Sequence, residues 1–374
     1  MNYQTSLPYF HSEDIEEIIS KVKKILSGEG MLTKGPLVKE FENKYSNYVG
    51  SKFGVSTNSC TTALEIVLKS INLNKDDEVI VPTQTFVSTG SCVLNAGGKV
   101  IFCDTDNNFS LDFNDLKLKI SKKTKAVIVV HFAGLIQENI LEIKKYLNER
   151  NIFLIEDCAH SSGAKINGLI SGNIGDFGCH SFYSTKIMTT GEGGMITTNH
   201  EEYFLKCSSI RSIGIDVKSK SEVFNNLGTN NRMAEFEAIL GLSQLKRLDE
   251  FVDHRIKVAN SYMSELRNLE NNGLISFQKF SKNIKHPFWK FIVFLNSDRI
   301  SVNDLKDELL KNGVNISAPY NPLMHLQPLF NDNNIKLKNA DNLSKYHFCL
   351  PIHFKITIND TVIISNLLKK ALKW

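Results

Sequence analysis

The sequence of 374 residues lacks several patterns that mark common functional classes. It has no Walker A loop and no Gly-x-Gly-x-x-Gly fingerprint, so functions that use ATP or NAD lose their usual sequence support. Its ten histidines show no metal-ligand spacing, and we predict no metal site. A net charge of +4 is small for this length, so the sequence gives no reason to expect a nucleic-acid partner.

Long apolar stretches are also missing. The longest, residues 126–136, is too short to cross a membrane and contains His131, so we expect no membrane partner. The first residues show no basic segment followed by an apolar one, which argues against a signal peptide. The seven cysteines form no Cys-x-x-Cys pair and are odd in number, a pattern typical of reduced thiols in a cytoplasmic protein.

Strand and helix patterns alternate through the first two thirds of the chain. Apolar spacing predicts helices at about residues 15–26, 61–71 and 140–149. Short β-rich runs lie at residues 78–81, 99–102, 126–130 and 152–155. This alternation predicts an α/β fold with a mostly parallel central sheet and helices on both faces. The β-rich runs become sparse after about residue 250, so we predict a large domain at 1–250 and a smaller C-terminal α/β domain at 251–374.

Ligands of such sheets bind outside the carboxyl ends of the strands. Asp104, His131 and Asp157 each fall at or just after one of those ends. For Asp104 we favour a loop or helix-capping role.

Lys186 and Asp157 carry the strongest chemical signal. Lys186 lies in a Ser- and Gly-rich segment, residues 181–194, and follows by 29 positions the acid that ends the apolar run 152–157. An enzyme that uses pyridoxal 5′-phosphate (PLP) needs such a pair, because the lysine amine forms a Schiff base with the cofactor and the acid holds the pyridine nitrogen protonated. We therefore predict PLP as the cofactor and Lys186 and Asp157 as catalytic residues. Glu156 is the alternative to Asp157.

The order and spacing of several segments resemble the DegT/DnrJ/EryC1/StrS aminotransferases, fold-type I PLP enzymes that aminate nucleotide-linked keto sugars. Besides the Lys186 segment, the matching stretches are residues 58–64, 77–82, 156–160, 230–235 and 350–353. The resemblance covers nearly the whole chain. It implies a two-domain subunit that works as a homodimer with shared active sites.

The resemblance also implies roles for residues around the cofactor. Thr61 and Thr62 open a helix whose unpaired N–H groups favour a phosphate, although a simple N-cap by Ser59 or Thr61 is the alternative. Ser181 matches a second phosphate-binding position. Phe86 falls where relatives place an aromatic ring over the pyridine.

Two further positions follow from the same resemblance. His160 matches a residue near the phenolic oxygen of the cofactor, with a buried structural histidine as the alternative. Asn230 matches an asparagine that reaches the phosphate of the neighbouring subunit's cofactor. Many relatives have glycine where this chain has Cys60.

The implied reaction moves an amino group from glutamate to a keto sugar. The segment 189–194 resembles members that aminate carbon 4, so we expect a nucleotide-linked 4-keto-6-deoxy sugar for surface polysaccharide or glycan biosynthesis. Tyr320 and His325 are weak substrate candidates. A small phosphorylated ketose is an alternative substrate. A non-catalytic regulator is a further alternative, against which Lys186 and Asp157 argue because folding requires neither.

Overall fold

The computed structural model describes residues 2–219, 221–296, 300–330 and 335–373. The strands are β1 (Phe53–Thr57), β2 (Glu78–Pro82), β3 (Lys99–Cys103), β4 (Thr124–Val130), β5 (Phe153–Asp157), β6 (Lys165–Ile166), β7 (Leu169–Ile170), β8 (Phe177–Ser181), β9 (Gly194–Thr198), β10 (Ile275–Phe277), β11 (Ile284–Lys285), β12 (Phe291–Leu295) and β13 (His347–Leu350). The helices are α1 (Ser12–Lys24), α2 (Pro36–Val49), α3 (Cys60–Ser70), α4 (Ser88–Asn95), α5 (Phe113–Lys119), α6 (Ile140–Asn148), α7 (Glu201–Arg211), α8 (Glu235–Glu265), α9 (Arg267–Asn271), α10 (Val302–Lys311), α11 (Lys338–Leu343) and α12 (Ile358–Ala371).

Seven strands form the central sheet, in the order β1-β9-β8-β5-β4-β2-β3. Every neighbouring pair is parallel except the two that involve β9. The prediction of an α/β fold with a mostly parallel sheet is therefore confirmed. The carboxyl ends of the parallel strands meet at one edge, and Asp157 ends β5 at this edge.

Helices cover both faces of the sheet. Alternate residues of each strand point to opposite sides, and both sets include apolar side chains that pack against helices. On one face, Val79 and Ile128 pack in a core with Leu64 of α3. On the other face, Val127 and Leu154 pack with residues of α5 and α6. Strands buried on both sides read as nearly continuous apolar runs, which is why the sequence revealed β2, β4 and β5.

A second sheet, β10-β12-β13, is antiparallel and packs with the C-terminal half of α8, α10 and α12. Helix α8 has 31 residues and continues through residue 250. The predicted division near 250 thus falls inside a continuous helix, and the boundary stays a prediction. Among the described residues, no helix is both long enough and apolar enough to cross a membrane.

Candidate active site

A cavity of about 460 Å³ opens at the carboxyl edge of the central sheet. Asp157 at the end of β5, the first turn of α3 and the loop between β8 and β9 all contribute to its lining. The loop carries Lys186, and Trp289 and Tyr320 enter from the C-terminal part of the chain. The cavity therefore brings together residues that lie far apart in the sequence.

Lys186 is partly buried at the wall of this cavity, and its amine lies 4.3 Å from the centre of the Trp289 ring system. Burial lowers the pKa of Lys186 from 10.5 to about 8, because the ammonium form loses its solvation. The anionic forms of Asp157 and Cys60 act in the opposite direction, and the charge of Lys290 lowers the pKa further. The free amine of Lys186 is thus more abundant near neutral pH than that of an ordinary lysine.

Asp157 is held by hydrogen bonds inside the cavity. The Thr89 hydroxyl donates to Oδ2 at 3.0 Å, and the Ala159 N–H donates to Oδ1 at 3.1 Å. Burial raises the pKa of Asp157, while these two hydrogen bonds and the charge of Lys186 lower it. A cationic group placed against this carboxylate would stabilise its ionised form.

Glu156, the alternative acid, does not line the cavity, because neighbouring strand residues point to opposite sides. Its Oε2 atom lies 2.9 Å from Nε2 of His131, which is buried with it. Its oxygens also accept hydrogen bonds from the N–H groups of Gly172, Ile174 and Gly175. Burial acts to raise the pKa of Glu156, but these bonds outweigh it and the pKa is lowered. Glu156 is therefore a structural anion, and Asp157 is the acid of the cavity.

Potential metal-ligating atoms of His131, Glu156 and Cys158 lie within 4.8 Å of one another. The hydrogen bonds already made to both Glu156 oxygens leave this group no evident role in binding an ion.

Asp104 accepts hydrogen bonds from the N–H groups of Asn339 and Ala340 in the first turn of α11. This contact agrees with the helix-capping interpretation of Asp104.

Hydroxyl groups line the part of the cavity formed by α3. Ser59 is the N-cap of this helix, since its Oγ accepts the N–H of Thr62 at 3.2 Å. Thr61 and Ser181 both line the cavity. The Thr62 hydroxyl instead donates to Oδ1 of Asn58 at 2.7 Å, and Thr62 is not among the lining residues. The structure thus brings Thr61 and Ser181 to the cavity and turns the Thr62 side chain away from it.

Three aromatic rings form a stack at the inner side of the cavity. The His160 ring lies parallel to the Trp289 ring system, with centroids 3.8 Å apart, and its Nε2 shares a hydrogen bond of 2.9 Å with the Tyr320 hydroxyl. Burial, followed by the charge of Lys186, lowers the pKa of His160 well below its ordinary value. His160 is therefore neutral at neutral pH. Phe86 lines the cavity with a half-exposed ring, 6.0 Å from that of Tyr320.

Two predicted residues do not reach the cavity of their own chain. Asn230 is exposed and is not among the lining residues. His325 is buried elsewhere, with Nδ1 hydrogen-bonded to the Thr83 hydroxyl at 2.6 Å and Nε2 at 3.3 Å from Asp341. The assignments of Asn230 to a partner's cofactor and of His325 to substrate stay predictions.

Sequence reasoning missed Trp289 and Thr89. Trp289 lies just before β12, and its Nε1 donates to the carbonyl of Thr185, the residue that precedes Lys186. Thr89 belongs to α4 and contacts Asp157 across 68 positions of sequence. Neither belongs to a motif. The single signal for Trp289 was its rarity, since the chain has only two tryptophans.

The described residues fit PLP. An acid is available for the pyridine nitrogen, a partly unprotonated lysine for the aldehyde, and hydroxyls beside a helix N-terminus for the phosphate. In addition, Nδ1 of His160 is buried without a hydrogen-bond partner in the described structure. A bound group could satisfy that atom.

Comparison with known proteins identifies the family of this chain. A model of the DegT/DnrJ/EryC1/StrS aminotransferase family matches residues 12–368. The chain belongs to this family. It is 32% identical to the GDP-perosamine synthase of Caulobacter vibrioides over 87% of each chain. It is also 30% identical to the UDP-4-amino-4,6-dideoxy-N-acetyl-beta-L-altrosamine transaminase of Campylobacter jejuni over 98% of each.

Solved structures share the fold of this chain. NtdA of Bacillus subtilis, which contains the bound cofactor PMP, superposes with a TM-score of 0.89 at 25% identity. The match covers 99% of this chain and 86% of that one. The predicted family, fold and enzyme class are therefore confirmed, and the protein is an aminotransferase.

Proposed function

We propose that this aminotransferase moves the amino group of glutamate to carbon 4 of a nucleotide-linked 4-keto-6-deoxy sugar. The observation that carries the proposal is the placement of Lys186 and Asp157 in one cavity, with the lysine pKa lowered to about 8. Neither feature is required for folding, so a purely regulatory protein would have no reason to hold both.

The predicted cofactor, PLP, is confirmed by family membership and by the fit of the cavity. When bound, PLP accepts the electron pair that the substrate carbon releases, and so allows a proton to move at that carbon. The protein supplies binding, orientation and proton transfer.

Each residue of the cavity has a definable task in this reaction. Lys186 would bind the cofactor aldehyde and, as a free amine, would carry the proton to and from the substrate carbon, a role that its lowered pKa favours. Asp157 would keep the pyridine nitrogen protonated. Neutral His160 would hydrogen-bond near the phenolic oxygen. Thr61 and Ser181 would donate hydrogen bonds to the phosphate.

The sugar assignment rests on relatives and on a local pattern. The Campylobacter jejuni relative is named for a UDP-linked 4-amino-4,6-dideoxy sugar, and the Caulobacter relative is named for a GDP-linked amino sugar. The segment 189–194 of this chain resembles members that aminate carbon 4. These points favour a nucleotide-linked sugar over a small phosphorylated ketose.

We further propose a homodimer with shared active sites, working in the cytoplasm. Asn230 is exposed and pairs through its backbone with Ser212. Large apolar side chains close to it in sequence are also exposed, including Leu227 at 91% and Phe224 at 54%. A partner subunit would cover these side chains and receive Asn230 at its cofactor. The seven buried, unpaired cysteines suit a reducing compartment.

The test is a transfer assay with purified, PLP-loaded protein. Glutamate labelled with ¹⁵N is supplied with UDP- or GDP-linked 4-keto-6-deoxy sugars, a 3-keto sugar nucleotide or dihydroxyacetone phosphate. We expect ¹⁵N at carbon 4 of a sugar nucleotide and release of 2-oxoglutarate. The substrate assignment would be overturned if dihydroxyacetone phosphate were the one acceptor to yield labelled product, or if the sugar nucleotide carried the label at carbon 3.

A further inference from the structure

Lys186 also lines a second pocket, of about 10 Å³, which is close to the size of one water molecule. Of the described residues, Lys186 alone lines both this small pocket and the larger cavity. Leu7, Pro8 and Tyr9, from the start of the sequence, form one wall of the small pocket. The reaction proposed above assigns these three residues no task.

Residues 7–14, which we call the N-terminal strap, are held by α8 at two points. The side-chain amide of Gln244 donates to the carbonyl of Tyr9 at 3.0 Å. One helical turn further along α8, on the same face, Arg247 donates to both carboxylate oxygens of Asp14, at 2.9 Å from Nε and 3.3 Å from Nη2. Asp14 is buried, so this ion pair is shielded from solvent at its acidic end.

The Tyr9 ring packs the strap against the wall of the small pocket. It stacks on the ring of Phe354, with centroids 4.6 Å apart, and meets the ring of Phe251 edge-on at 6.4 Å. Phe251 and Phe354 themselves line the small pocket. The strap therefore covers this pocket through packed aromatic side chains as well as through hydrogen bonds.

Gln244 also contacts the loop between β8 and β9, which carries Lys186. Its Oε1 accepts the N–H of Thr189 at 3.3 Å. The Thr189 hydroxyl in turn donates to the carbonyl of Phe182 at 3.0 Å and accepts the N–H of Gly191 at 2.9 Å, so Thr189 ties the loop together. The buried amide of Gln244 thus binds the loop with its oxygen and the strap with its nitrogen.

We propose that Gln244 is a positioning residue for Lys186. It couples the N-terminal strap to the loop between β8 and β9, and the strap shields Lys186 from solvent on the side of the small pocket. This inference rests on the proposed role of Lys186, because a lysine that must act as a free amine is hindered when water stabilises its charged form.

Loosening of the strap should act on Lys186 through solvation. Burial is the main cause of the lowered pKa of Lys186, Asp157 and Cys60 raise it, and Lys290 lowers it further. Arg255 lines the small pocket together with Lys186. Water that entered in place of the strap would stabilise the ammonium form, so the pKa of Lys186 would rise from about 8 toward 10.5. The substitutions proposed below leave all four neighbouring groups in place.

The first measurement is hydrogen exchange of the PLP-loaded full chain, followed by mass spectrometry. It compares the strap and the peptide that contains Lys186 and Thr189 with β4, at the centre of the sheet, as the internal reference. In Gln244→Leu and in Arg247→Met, we expect both regions to exchange roughly tenfold faster relative to β4.

The second measurement is the pH profile of Lys186 acetylation in the cofactor-free full chain. The midpoint should rise by roughly half a pH unit or more in Gln244→Leu and in Arg247→Met, because solvation favours the ammonium form. A Gln244 that served the fold alone would leave this midpoint unchanged.

Arg247 is the informative position, because it holds the strap but does not line the small pocket. In a Gln244→Leu background, Arg247→Met should have no further effect on Lys186, since the link is already absent. Arg247→Lys should retain most of the wild-type behaviour, because lysine can still pair with Asp14. Lys285→Met is the matched control, since it removes an exposed ion pair of 2.7 Å with Asp253 of α8.

Three results would overturn the proposal. The strap could exchange in Arg247→Met as it does in the wild type, or it could exchange faster while the Lys186 peptide and the Lys186 midpoint stay unchanged. The effects of Gln244→Leu and Arg247→Met on Lys186 could also add in the double variant. Neither measurement needs a substrate, so a failure of this coupling is distinguishable from a failure of the proposed transfer reaction.

Discussion

The carboxylates of Glu156 and Asp157, adjacent in β5, point to opposite sides of the strand and have opposite environments. Asp157 faces the cavity of Lys186, and its pKa is raised, chiefly by burial. Glu156 faces away, accepts hydrogen bonds from three backbone N–H groups and contacts His131, and its pKa is lowered. Asp157 is therefore the acid that faces the cavity, and Glu156 is the acid held within the fold.

Substitution of each acid by its amide should separate these roles. Asp157→Asn should keep the fold but lower kcat by roughly a hundredfold or more, because a neutral amide does not hold the pyridine nitrogen protonated. Glu156→Gln should instead lower the free energy of unfolding by about 1–3 kcal/mol, because the buried backbone donors lose an anionic acceptor. Steady-state kinetics and chemical denaturation of both variants provide the measurement. Near wild-type turnover of Asp157→Asn would show that the assignment is wrong.

The pKa of Lys186 can be measured without the cofactor. The rate of acetylation of Lys186 by trace acetic anhydride, followed by mass spectrometry, should rise with pH and reach half of its maximum near pH 8, because only the free amine reacts. Exposed lysines serve as internal controls and should reach half of their maximal rate near the ordinary lysine value of about 10.4. Asp157→Asn should shift the Lys186 midpoint downward, because it removes an anion that stabilises the ammonium. Lys290→Met should shift it upward, because it removes a like charge. A Lys186 midpoint near 10.5 would contradict the account.

Thr89 should tune Asp157 through a single hydrogen bond. Thr89→Val keeps the side-chain shape but removes the donor to Oδ2, so the pKa of Asp157 should rise further and kcat should fall about tenfold. Thr89→Ser keeps the hydroxyl and is the matched control. If the valine and serine variants have the same kcat, the hydrogen bond has no role in turnover.

Asn230 provides the test of a shared active site. Asn230→Ala should weaken PLP binding by about 1.5–3 kcal/mol without unfolding the chain, if its side chain donates to the partner subunit's cofactor phosphate. Mixing Asn230→Ala and Lys186→Ala proteins and allowing subunit exchange should restore part of the activity. In one of the two sites of each heterodimer, Lys186 of the Asn230→Ala subunit and Asn230 of the Lys186→Ala subunit would then both be intact. No recovery despite demonstrated exchange, or a fully active monomer, would exclude the shared site.

The extent of sequence prediction differs between elements for physical reasons. Strands β2, β4 and β5 were predictable because burial on both faces produces nearly continuous apolar runs. Strands β8 and β9 were not, because their sequences, Phe-Gly-Cys-His-Ser and Gly-Met-Ile-Thr-Thr, combine small and polar residues. The glycine at 178 reflects a close backbone approach, since a Cβ there would lie 2.4 Å from Cα of Gly172. Such a contact is set by tertiary structure and leaves no local periodicity.

The residues of the cavity also differ in how far the sequence predicted them. Lys186, Asp157, Thr61 and Ser181 belong to segments whose order and spacing resemble a family, and the structure brings all four to one cavity. Trp289 comes from a distant segment and owes its place to the packing of β12 against the rest of the chain. The Thr62 side chain was expected near the phosphate but points to Asn58, because the hydroxyl of a residue in the first turn of a helix can also bond backward along the chain.

The central claim is that Lys186 binds PLP covalently. The direct measurement is borohydride reduction of the PLP-loaded protein, followed by peptide mass mapping, with Lys186→Ala as the control. The account predicts a yellow protein whose visible absorption disappears on reduction, with the pyridoxyl group found on the peptide that contains Lys186. In Lys186→Ala, cofactor should bind without covalent attachment. A colourless protein that takes up no PLP, or a pyridoxyl group on another lysine of the wild type, would contradict the account.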